Sequence, residues 1–191
     1  MGHEKPFILV ICGPPASGKT TLIQSFRAAR QDIRFYEMDA IRLEVLPGPL
    51  HDKATRSAAY RVMHERARRD LLNLQATSVS ASYMPPEHRA EVAALALDLR
   101  VRLFVVQCVC PADEAVRRFE LRRGSHPGTD LTAERVRKLA EEYDPFEGAL
   151  LIDTGSDAYH VDTINAYIDE GSPVDPVRWA EHCYVSPETL G

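Results

Sequence analysis

The sequence has no surplus of basic residues, although proteins that bind a nucleic-acid backbone usually carry one. It contains 23 Lys and Arg residues against 28 Asp and Glu residues in a chain of 191, so the formal net charge is −5 at pH 7. Because Lys and Arg neutralise the phosphates of a bound polynucleotide, this balance argues against a long nucleic acid as partner. It leaves room for a local basic pocket, since net charge does not describe distribution.

The sequence also lacks the spacing of a metal site. Cys12, Cys108, Cys110 and Cys183 form no CxxC pair and no Cys/His ladder. The first three lie in or beside apolar runs, where a thiol usually acts as a small buried hydrophobe. We expect all four to be reduced, as is usual in the cytosol. The scattered histidines have no metal-ligand spacing either, and we expect them at the surface or partly buried.

Long hydrophobic runs are absent as well, and no stretch approaches the length of a membrane-spanning helix. The first residues, Met-Gly-His-Glu-Lys-Pro, lack the cleavage pattern of a signal peptide. We therefore predict a cytoplasmic protein without a membrane partner. Hydrophobic residues make up 45% and charged residues 27% of the chain, which excludes wholesale disorder, collagen and coiled coil.

Short apolar runs alternate with segments of helical periodicity. The predicted strands are 7–12, a segment ending near Met38 and Asp39, 77–82, 101–109 and 149–152. The predicted helices are 17–29, 54–75, 85–99, 113–123, 131–143 with Thr132 as N-cap, and 157–168. Strands that alternate with helices form parallel βαβ units, so we predict one α/β domain over residues 1–171. We expect the tail, 172–191, to pack on that domain.

Residues 13–20 read Gly-Pro-Pro-Ala-Ser-Gly-Lys-Thr and match the P-loop pattern G-x-x-x-x-G-K-[ST]. Glycines let the backbone turn its N–H groups towards phosphate oxygens, and the helix that follows adds positive potential. We predict that Lys19 reaches the β- and γ-phosphates of ATP and that the Thr20 hydroxyl ligates Mg²⁺. The whole predicted site consists of Gly13, Pro14, Pro15, Ala16, Ser17, Gly18, Lys19, Thr20 and Thr21. An ordinary glycine-rich turn is the alternative.

Four further motifs follow the P-loop in order: Asp39-x-x-Arg42, Arg89, a helix with Arg117, Arg118, Arg122 and Arg123, and Asp144-Pro145-Phe146-Glu147. With them the chain, from about Pro6 to Thr154, resembles the small P-loop kinases that include polynucleotide 5′-hydroxyl kinases, zeta toxins and chloramphenicol phosphotransferases. The resemblance implies a P-loop NTPase-like three-layer sandwich with a mostly parallel five-stranded sheet and a small helical lid at about 113–130. It also implies ATP and Mg²⁺ as cofactors, and transfer of the γ-phosphate to a hydroxyl of a small-molecule or nucleotide-like acceptor.

The resemblance assigns Asp39 as the base of this reaction and places Arg42 against substrate or phosphate. A carboxylate at the carboxyl end of a strand, where α/β sheets bind ligands, can orient a hydroxyl and accept its proton. The alternative is that Asp39 caps the following helix and that Arg42 lies on the solvated face of that helix.

Arg118 and Arg122 are four residues apart and share one face of the predicted lid helix. The planar fork of arginine suits phosphate oxygens and can neutralise charge in the transition state. The resemblance implies that lid arginines do this, and we expect Arg118 and Arg122 to be the residues. The alternative is a solvated helix whose arginines are balanced by Asp113, Glu114 and Glu120.

Ser80 departs from the family pattern. Related kinases commonly read D-A-T-x-x-x-P-x-x-R where residues 80–89 read SASYMPPEHR, and a hydroxyl is a weaker magnesium partner than a carboxylate. The alternative to a kinase is therefore a nucleotide-binding sensor or regulatory protein without efficient transfer, or a simple ATPase. Tyr83 and Arg89 either face the substrate pocket or pack, and residues 154–156 either pass near adenine, as the resemblance suggests, or form a plain turn.

Overall fold

The central sheet is fully parallel. The computed structural model describes residues 6–45, 53–122, 131–155 and 160–190. Within these ranges the strands are β1 Phe7–Cys12, β2 Arg34–Glu37, β3 Thr77–Ser80, β4 Arg102–Val109 and β5 Leu150–Asp153. They pair in parallel in the order β2-β3-β1-β4-β5. The predicted five-stranded sheet is therefore confirmed.

Helices cover both faces of this sheet. They are α1 Lys19–Ala29, α2 Met38–Val45, α3 Lys53–Leu72, α4 Pro86–Leu99, α5 Ala112–Leu121, α6 Ala133–Glu141, α7 His160–Glu170, α8 Pro176–Glu181 and α9 Pro187–Leu190. Along β1, Ile8 and Val10 join one core cluster while Leu9 and Ile11 join the other. Because successive strand residues point to opposite faces, the two clusters form the two interfaces of a three-layer α/β fold, as predicted. Among the described helices, none is both long and apolar enough to cross a membrane.

The second strand ends earlier than the sequence suggested. We placed its end near Met38 and Asp39, but β2 ends at Glu37 and a helix, α2, begins at Met38. The run from Met38 to Val45 contains several good helix formers, and Ile41 buries its side chain in the core cluster that also contains residues of α3. Tertiary packing and helix propensity therefore outweigh the β-like composition at the start of this run.

The lid region consists of α5 and α6, which pack against each other. Residues 123–130, with Arg123, lie outside the described residues. Thr132 caps α6 as predicted, because its side-chain oxygen accepts a hydrogen bond from the N–H of Arg135 at 3.1 Å. Apolar side chains of the two helices form a small cluster against which Ala16 of the P-loop packs. The lid helices and the P-loop are thus in direct contact.

The segment after α7 contributes to the main core. Trp179 of α8 is fully buried, and its Nε1 donates a hydrogen bond to the Tyr184 hydroxyl at 2.7 Å. The Tyr184 ring stacks on Tyr143 with the centroids 4.9 Å apart, and its hydroxyl lies 3.6 Å from the thiol of Cys12. Cys12 is the last residue of β1, so this segment reaches the strand that leads into the P-loop.

All four cysteines are free, as expected. Cys12, Cys108 and Cys110 are buried, whereas Cys183 is exposed. Burial raises the pKa of the Cys12 thiol to about 11 and that of Cys108 to about 12. Both thiols therefore stay protonated and act as small core side chains.

Trp179→Ala is expected to lower the free energy of unfolding by about 3–5 kcal/mol, because it removes a fully buried ring. Urea unfolding followed by circular dichroism measures the change. Val177→Ala is the matched control, since Val177 lies on the same helix but is 49% exposed; its effect should stay within about 0.5 kcal/mol. Wild-type stability in Trp179→Ala would show that this segment adds nothing to the core.

Candidate active site

The P-loop follows β1 and is closely packed against its neighbours. Gly13 has φ 141° and Gly18 has φ 82°, values that L side chains rarely adopt. A Cβ on Gly13 would lie 2.1 Å from the carbonyl oxygen of Cys108, and one on Gly18 would lie 2.7 Å from Oγ1 of Thr154. Only glycine fits at either position, so the two glycines of the motif fix the loop against β4 and against the residue that follows β5.

Lys19 begins α1, and its ammonium group lies against the inner side of this loop. Nζ donates to the carbonyl oxygens of Gly13 at 3.0 Å and Pro14 at 2.8 Å, and it lies 3.4 Å from Oγ of Ser17. Burial lowers the pKa of Lys19, while the nearby Cys108 thiol and the Asp39 carboxylate act in the opposite direction. The loop thus surrounds the ammonium group of Lys19, and a cation in this position suits a phosphate ligand.

A cleft of about 920 Å³ opens at the carboxyl ends of the strands. The P-loop, α2, the start of α3, the turn between β3 and α4, the lid helices and Leu190 line it. Most of the predicted site residues meet here: Pro15, Ala16, Ser17, Gly18, Lys19, Thr20, Asp39, Arg42, Arg118 and Arg122. Gly13 and Pro14 accept hydrogen bonds from Lys19 and, like Thr21, which is exposed on α1, lie outside the described lining.

Asp39 and Arg42 lie one helical turn apart at the start of α2. The Asp39 side chain is exposed to the cleft, in the first turn of a helix where a carboxylate is also electrostatically favourable. Arg42 is only 2% exposed, so the alternative of a solvated Arg42 is wrong. Both side chains line the same cleft as Lys19, because β2 and β1 end at the same edge of the sheet.

Arg118 connects the lid to the P-loop. Its Nη1 and Nη2 donate to Oγ1 and the carbonyl oxygen of Thr154 at 3.0 and 2.7 Å, and its Nε donates to Glu114 at 2.6 Å. The Thr154 hydroxyl in turn donates to the carbonyl oxygen of Ser17 at 2.8 Å. Arg122, at the C-cap of α5, lines the cleft without belonging to this connection. The two predicted lid arginines therefore have different surroundings.

Arg117 is a contrasting neighbour. It is exposed and binds Glu114 through two hydrogen bonds of 2.7 and 2.8 Å, outside the described lining of the cleft. The hydrogen bonds from Arg117 and Arg118 lower the pKa of Glu114 to about 2. The solvated-helix alternative thus describes Arg117 correctly, but it does not describe Arg118.

Ser80 ends β3 and lines the cleft with a side chain that is 6% exposed. Its register partner on β2 is Glu37, whose carboxylate is bound by Arg27 at 2.9 Å. Among the described residues there is no group of three His, Cys, Asp or Glu side chains arranged for a metal. The oxygens of Thr20, Asp39 and Ser80 suit Mg²⁺, which commonly keeps water and binds substrate phosphates.

Tyr83 and Arg89 are buried and lie outside the described lining of the cleft. Tyr83 is fully buried, and its hydroxyl lies 3.0 Å from Nε2 of His64. Arg89 is 1% exposed and donates to the carbonyl oxygens of Tyr83 at 2.6 Å and Met84 at 2.5 Å. His64 and His88 are buried too, so the expectation that the histidines lie at the surface or are partly buried is wrong for these two. The Thr154 hydroxyl binds the P-loop. Ser156 lies outside the described residues, and the proximity of residues 154–156 to adenine stays a prediction.

Sequence reasoning missed several residues that line the cleft: Lys53, Arg56, Tyr60, His88 and Arg135. None occupies a specified position of a motif, since His88 stands at a variable position of the stretch 80–89, and Lys53 precedes the predicted helix 54–75. Helical periodicity assigns the other residues to ordinary helix faces. The spacing of Arg135 after the Thr132 cap was the available signal, because it places Arg135 in the first turn of α6, one of the two helices of the lid region.

Comparison with protein families gives one match over most of the chain. The sequence model of the AAA_33 family, an AAA domain, matches residues 8–146. No curated protein matches the sequence significantly.

Solved structures share the fold at low identity. A candidate kinase from Chloroflexus aurantiacus j-10-fl superposes with a TM-score of 0.73 at 20% identity, covering 88% of this chain and 99% of that chain. The APS kinase CysC of Mycobacterium tuberculosis, solved with AMPPNP and APS, gives 0.66 at 17%, covering 86% and 96%. A sugar kinase from Janibacter sp. HTCC2649 gives 0.62 at 16%, covering 91% and 98%. The chain therefore belongs to the AAA_33 family and has the fold of the small P-loop kinases.

Proposed function

We propose that this protein is an ATP-dependent phosphotransferase that moves the γ-phosphate of ATP, with Mg²⁺, to a hydroxyl of a small-molecule or nucleotide-like acceptor. The supporting observation is that one cleft is lined by Lys19, Thr20, Asp39, Arg118 and Arg122. A P-loop by itself supports only nucleotide binding. A carboxylate and further cations facing the same cleft supply what phosphoryl transfer to a hydroxyl needs.

The residues of the loop fit a nucleoside triphosphate with its metal. The backbone at Gly13 and Gly18 leaves no space for a side chain, and the ammonium group of Lys19 lies inside the loop. Lys19 and the loop N–H groups would hold the phosphates, and Thr20, at the start of α1, would bind Mg²⁺. When bound, ATP supplies the phosphoryl group, and Mg²⁺ offsets the negative charge of its phosphates.

Asp39 would act on the acceptor. Its carboxylate orients the acceptor hydroxyl and takes its proton while the new O–P bond forms and the bond between the γ-phosphorus and its bridging oxygen breaks. ADP leaves, and Asp39 returns the proton to water. Arg42, one turn away, would contact substrate or phosphate.

The lid arginines would have separate roles. Arg122 would neutralise charge on the transferring group, as a planar guanidinium does well. Arg118 already uses Nε, Nη1 and Nη2 on Glu114 and Thr154, so in this arrangement it holds the lid against the P-loop and acts as a positioning residue.

A screen with radiolabelled ATP tests the function directly. Nucleosides, oligonucleotides, sugars and antibiotics are offered as acceptors in the presence of Mg²⁺, and labelled products are separated by chromatography. Transfer to any hydroxyl compound supports the proposal. Nucleotide binding without transfer to any class would contradict it.

A second candidate function is nucleotide binding without efficient transfer, as in a sensor or regulatory protein. A simple ATPase is grouped with this alternative, because it too transfers no phosphate to an acceptor other than water. The observation that favours it is Ser80, a hydroxyl at the strand end where related kinases commonly have a carboxylate. Both functions predict that Gly13→Ala loses nucleotide binding, whereas Asp39→Asn and Ser80→Asp distinguish them.

Gly13→Ala is expected to abolish tight ATP binding, because the new Cβ would lie 2.1 Å from the carbonyl oxygen of Cys108. The strain of a φ that alanine avoids is about 2–5 kcal/mol, and it corresponds to a loss of ATP affinity of more than about tenfold. Gly148→Ala is the matched control: its φ is 97°, but the nearest atom would be 4.0 Å away. Calorimetry on both folded variants should find a loss only in the first, and unchanged affinity in Gly13→Ala would refute the binding site.

Asp39→Asn is expected to lower the rate of transfer by about 10²–10⁴-fold, because the amide keeps the shape but takes no proton. ATP affinity should change little, since Asp39 would contact the acceptor. Single-turnover transfer and ATP binding are measured on both proteins with an acceptor from the screen. Glu44→Gln on the same helix is the control, as the exposed Glu44 pairs with Arg66 at 2.6 Å. Wild-type transfer in Asp39→Asn would exclude Asp39 as the base.

Ser80→Asp is expected to strengthen Mg²⁺-dependent nucleotide binding by about tenfold if the magnesium shell lacks a carboxylate, because a full charge replaces a dipole beside the cation. Ser80→Asn separates charge from size. The measurement is a magnesium titration of nucleotide affinity, with turnover in parallel. An unchanged titration in Ser80→Asp would mean that other groups complete the site, and the non-catalytic function would then lose its main support.

A further inference from the structure

The cleft has the opposite balance of charge from the chain as a whole. Its described lining includes seven cationic side chains, namely Lys19, Arg42, Lys53, Arg56, Arg118, Arg122 and Arg135, against three carboxylates, Glu37, Asp39 and Glu87. The chain has 23 Lys and Arg against 28 Asp and Glu. A concave site lined by one sign of charge concentrates ligands of the other sign. The cleft therefore favours anions within an acidic protein.

Two of the three carboxylates already have cationic partners. Glu37 is bound by Arg27 at 2.9 Å, and Glu87 lies 3.5 Å from Lys53. The remaining carboxylate, Asp39, is the proposed base. Lys53 belongs to the same lining, so Glu87 offsets one of its cations, but seven cationic side chains still outnumber the three carboxylates.

Helix α6 presents two different faces to the rest of the protein. Val136 and Ala140 belong to the small cluster on which Ala16 of the P-loop packs. Leu139 belongs instead to the main core cluster, which contains Tyr60 and other side chains from α3 and the β3–α4 turn. Since residues four apart share a helix face, Arg135 lies on the face of Leu139 and away from the P-loop face.

The part of the cleft beside Leu139 is suited to the non-reacting part of an acceptor molecule. We call it the acceptor wall and define it by Tyr60, Met84, His88, Leu139 and Leu190, all of which line the cleft. Tyr60 and His88 stack with their ring centroids 3.7 Å apart and are both buried. Rigid aromatic and aliphatic side chains of this kind form the apolar part of small-molecule sites.

Arg135 differs from the other arginine of its helix. Arg137 binds Asp113 at 2.6 Å and lies 3.8 Å from Glu141, outside the described lining of the cleft. Arg135 is partly buried. Its guanidinium has no hydrogen bond or ion pair with the described residues. A partly desolvated charge that has no partner among the described residues gains favourable binding energy when an anionic ligand binds to it.

We propose that the acceptor carries an oxyanion group, such as a phosphate, sulfate or carboxylate, in addition to its hydroxyl, and that Arg135 binds this group beside the acceptor wall. The inference rests on the proposed function and names its substrate class. The planar fork of Arg135 can hold two oxygens of such a group, which orients the molecule as well as binding it. A neutral sugar or nucleoside lacks the group that Arg135 would recognise.

Inorganic phosphate is the direct probe of the Arg135 site. The ¹⁵N-labelled protein is saturated with Mg²⁺ and AMPPNP, so that the P-loop is filled, and phosphate is titrated while the arginine Nε–H and α6 amide signals are followed by NMR. Arg135→Gln should weaken phosphate binding by about 10–100-fold, the equivalent of one hydrogen-bonded charge. Arg137→Gln, two residues away, should bind as the wild type does, and Arg135→Lys should keep part of the affinity.

No phosphate binding to the AMPPNP-loaded wild type, or equal binding in Arg135→Gln, would overturn the inference. A loss of AMPPNP affinity in Arg135→Gln would also overturn it, because Arg135 would then serve the nucleotide. Failure of AMPPNP to bind the wild type would overturn the proposed function at its first step, and this inference with it.

Paired acceptors test the same site during transfer. Ribose is compared with ribose 5-phosphate, and adenosine with adenosine 3′-monophosphate. The phosphorylated member should have the higher kcat/KM, and Arg135→Gln should lower only that value, by about 10–100-fold. Equal losses for both members would overturn the inference. No transfer to any acceptor, with phosphate binding as expected, would overturn the proposed function and leave the anion site supported.

Discussion

The absence of space around two glycines determines where the phosphate-binding loop lies. Gly13 is pressed against the carbonyl oxygen of Cys108 at the end of β4, and Gly18 against Thr154 just after β5. The loop is therefore built onto three adjacent strands, β1, β4 and β5, and not only onto the strand that precedes it. Its position relative to the sheet depends on a close backbone approach that any side chain would prevent.

Other parts of the site take their places from this contact. Thr154 lies between the carbonyl oxygen of Ser17 and the guanidinium of Arg118, so one hydroxyl links the loop to the lid helix. Ala16 adds an apolar contact with the same helices. The lid region is thus tied to the P-loop through Arg118, Thr154 and Ala16. Asp39 and Arg42 line the same cleft from α2.

Local signals account for what the sequence predicted correctly. The apolar run of β1, the P-loop pattern and the Thr132 cap each depend on a few adjacent residues, and the structure confirms the elements that they predict. The start of α2 was missed because residues that favour strands and residues that favour helices adjoin there. The packing of Ile41 in the core decides in favour of the helix. The surroundings of Arg118 and Arg135 depend on residues far away in sequence. Periodicity could place these arginines on a helix, but not opposite Thr154 or the acceptor wall.

The hydrogen bond between Trp179 and Tyr184, beside Cys12 of β1, has a consequence for biosynthesis. Domains generally fold as units while the chain emerges from the ribosome. Here β1 keeps part of one face uncovered until residues 176–185, which follow all five described strands in the chain, pack against it. A nascent chain paused after β5 would carry a complete P-loop sequence on a sheet with exposed apolar surface. Such a chain would be a natural client for chaperones that bind hydrophobic segments.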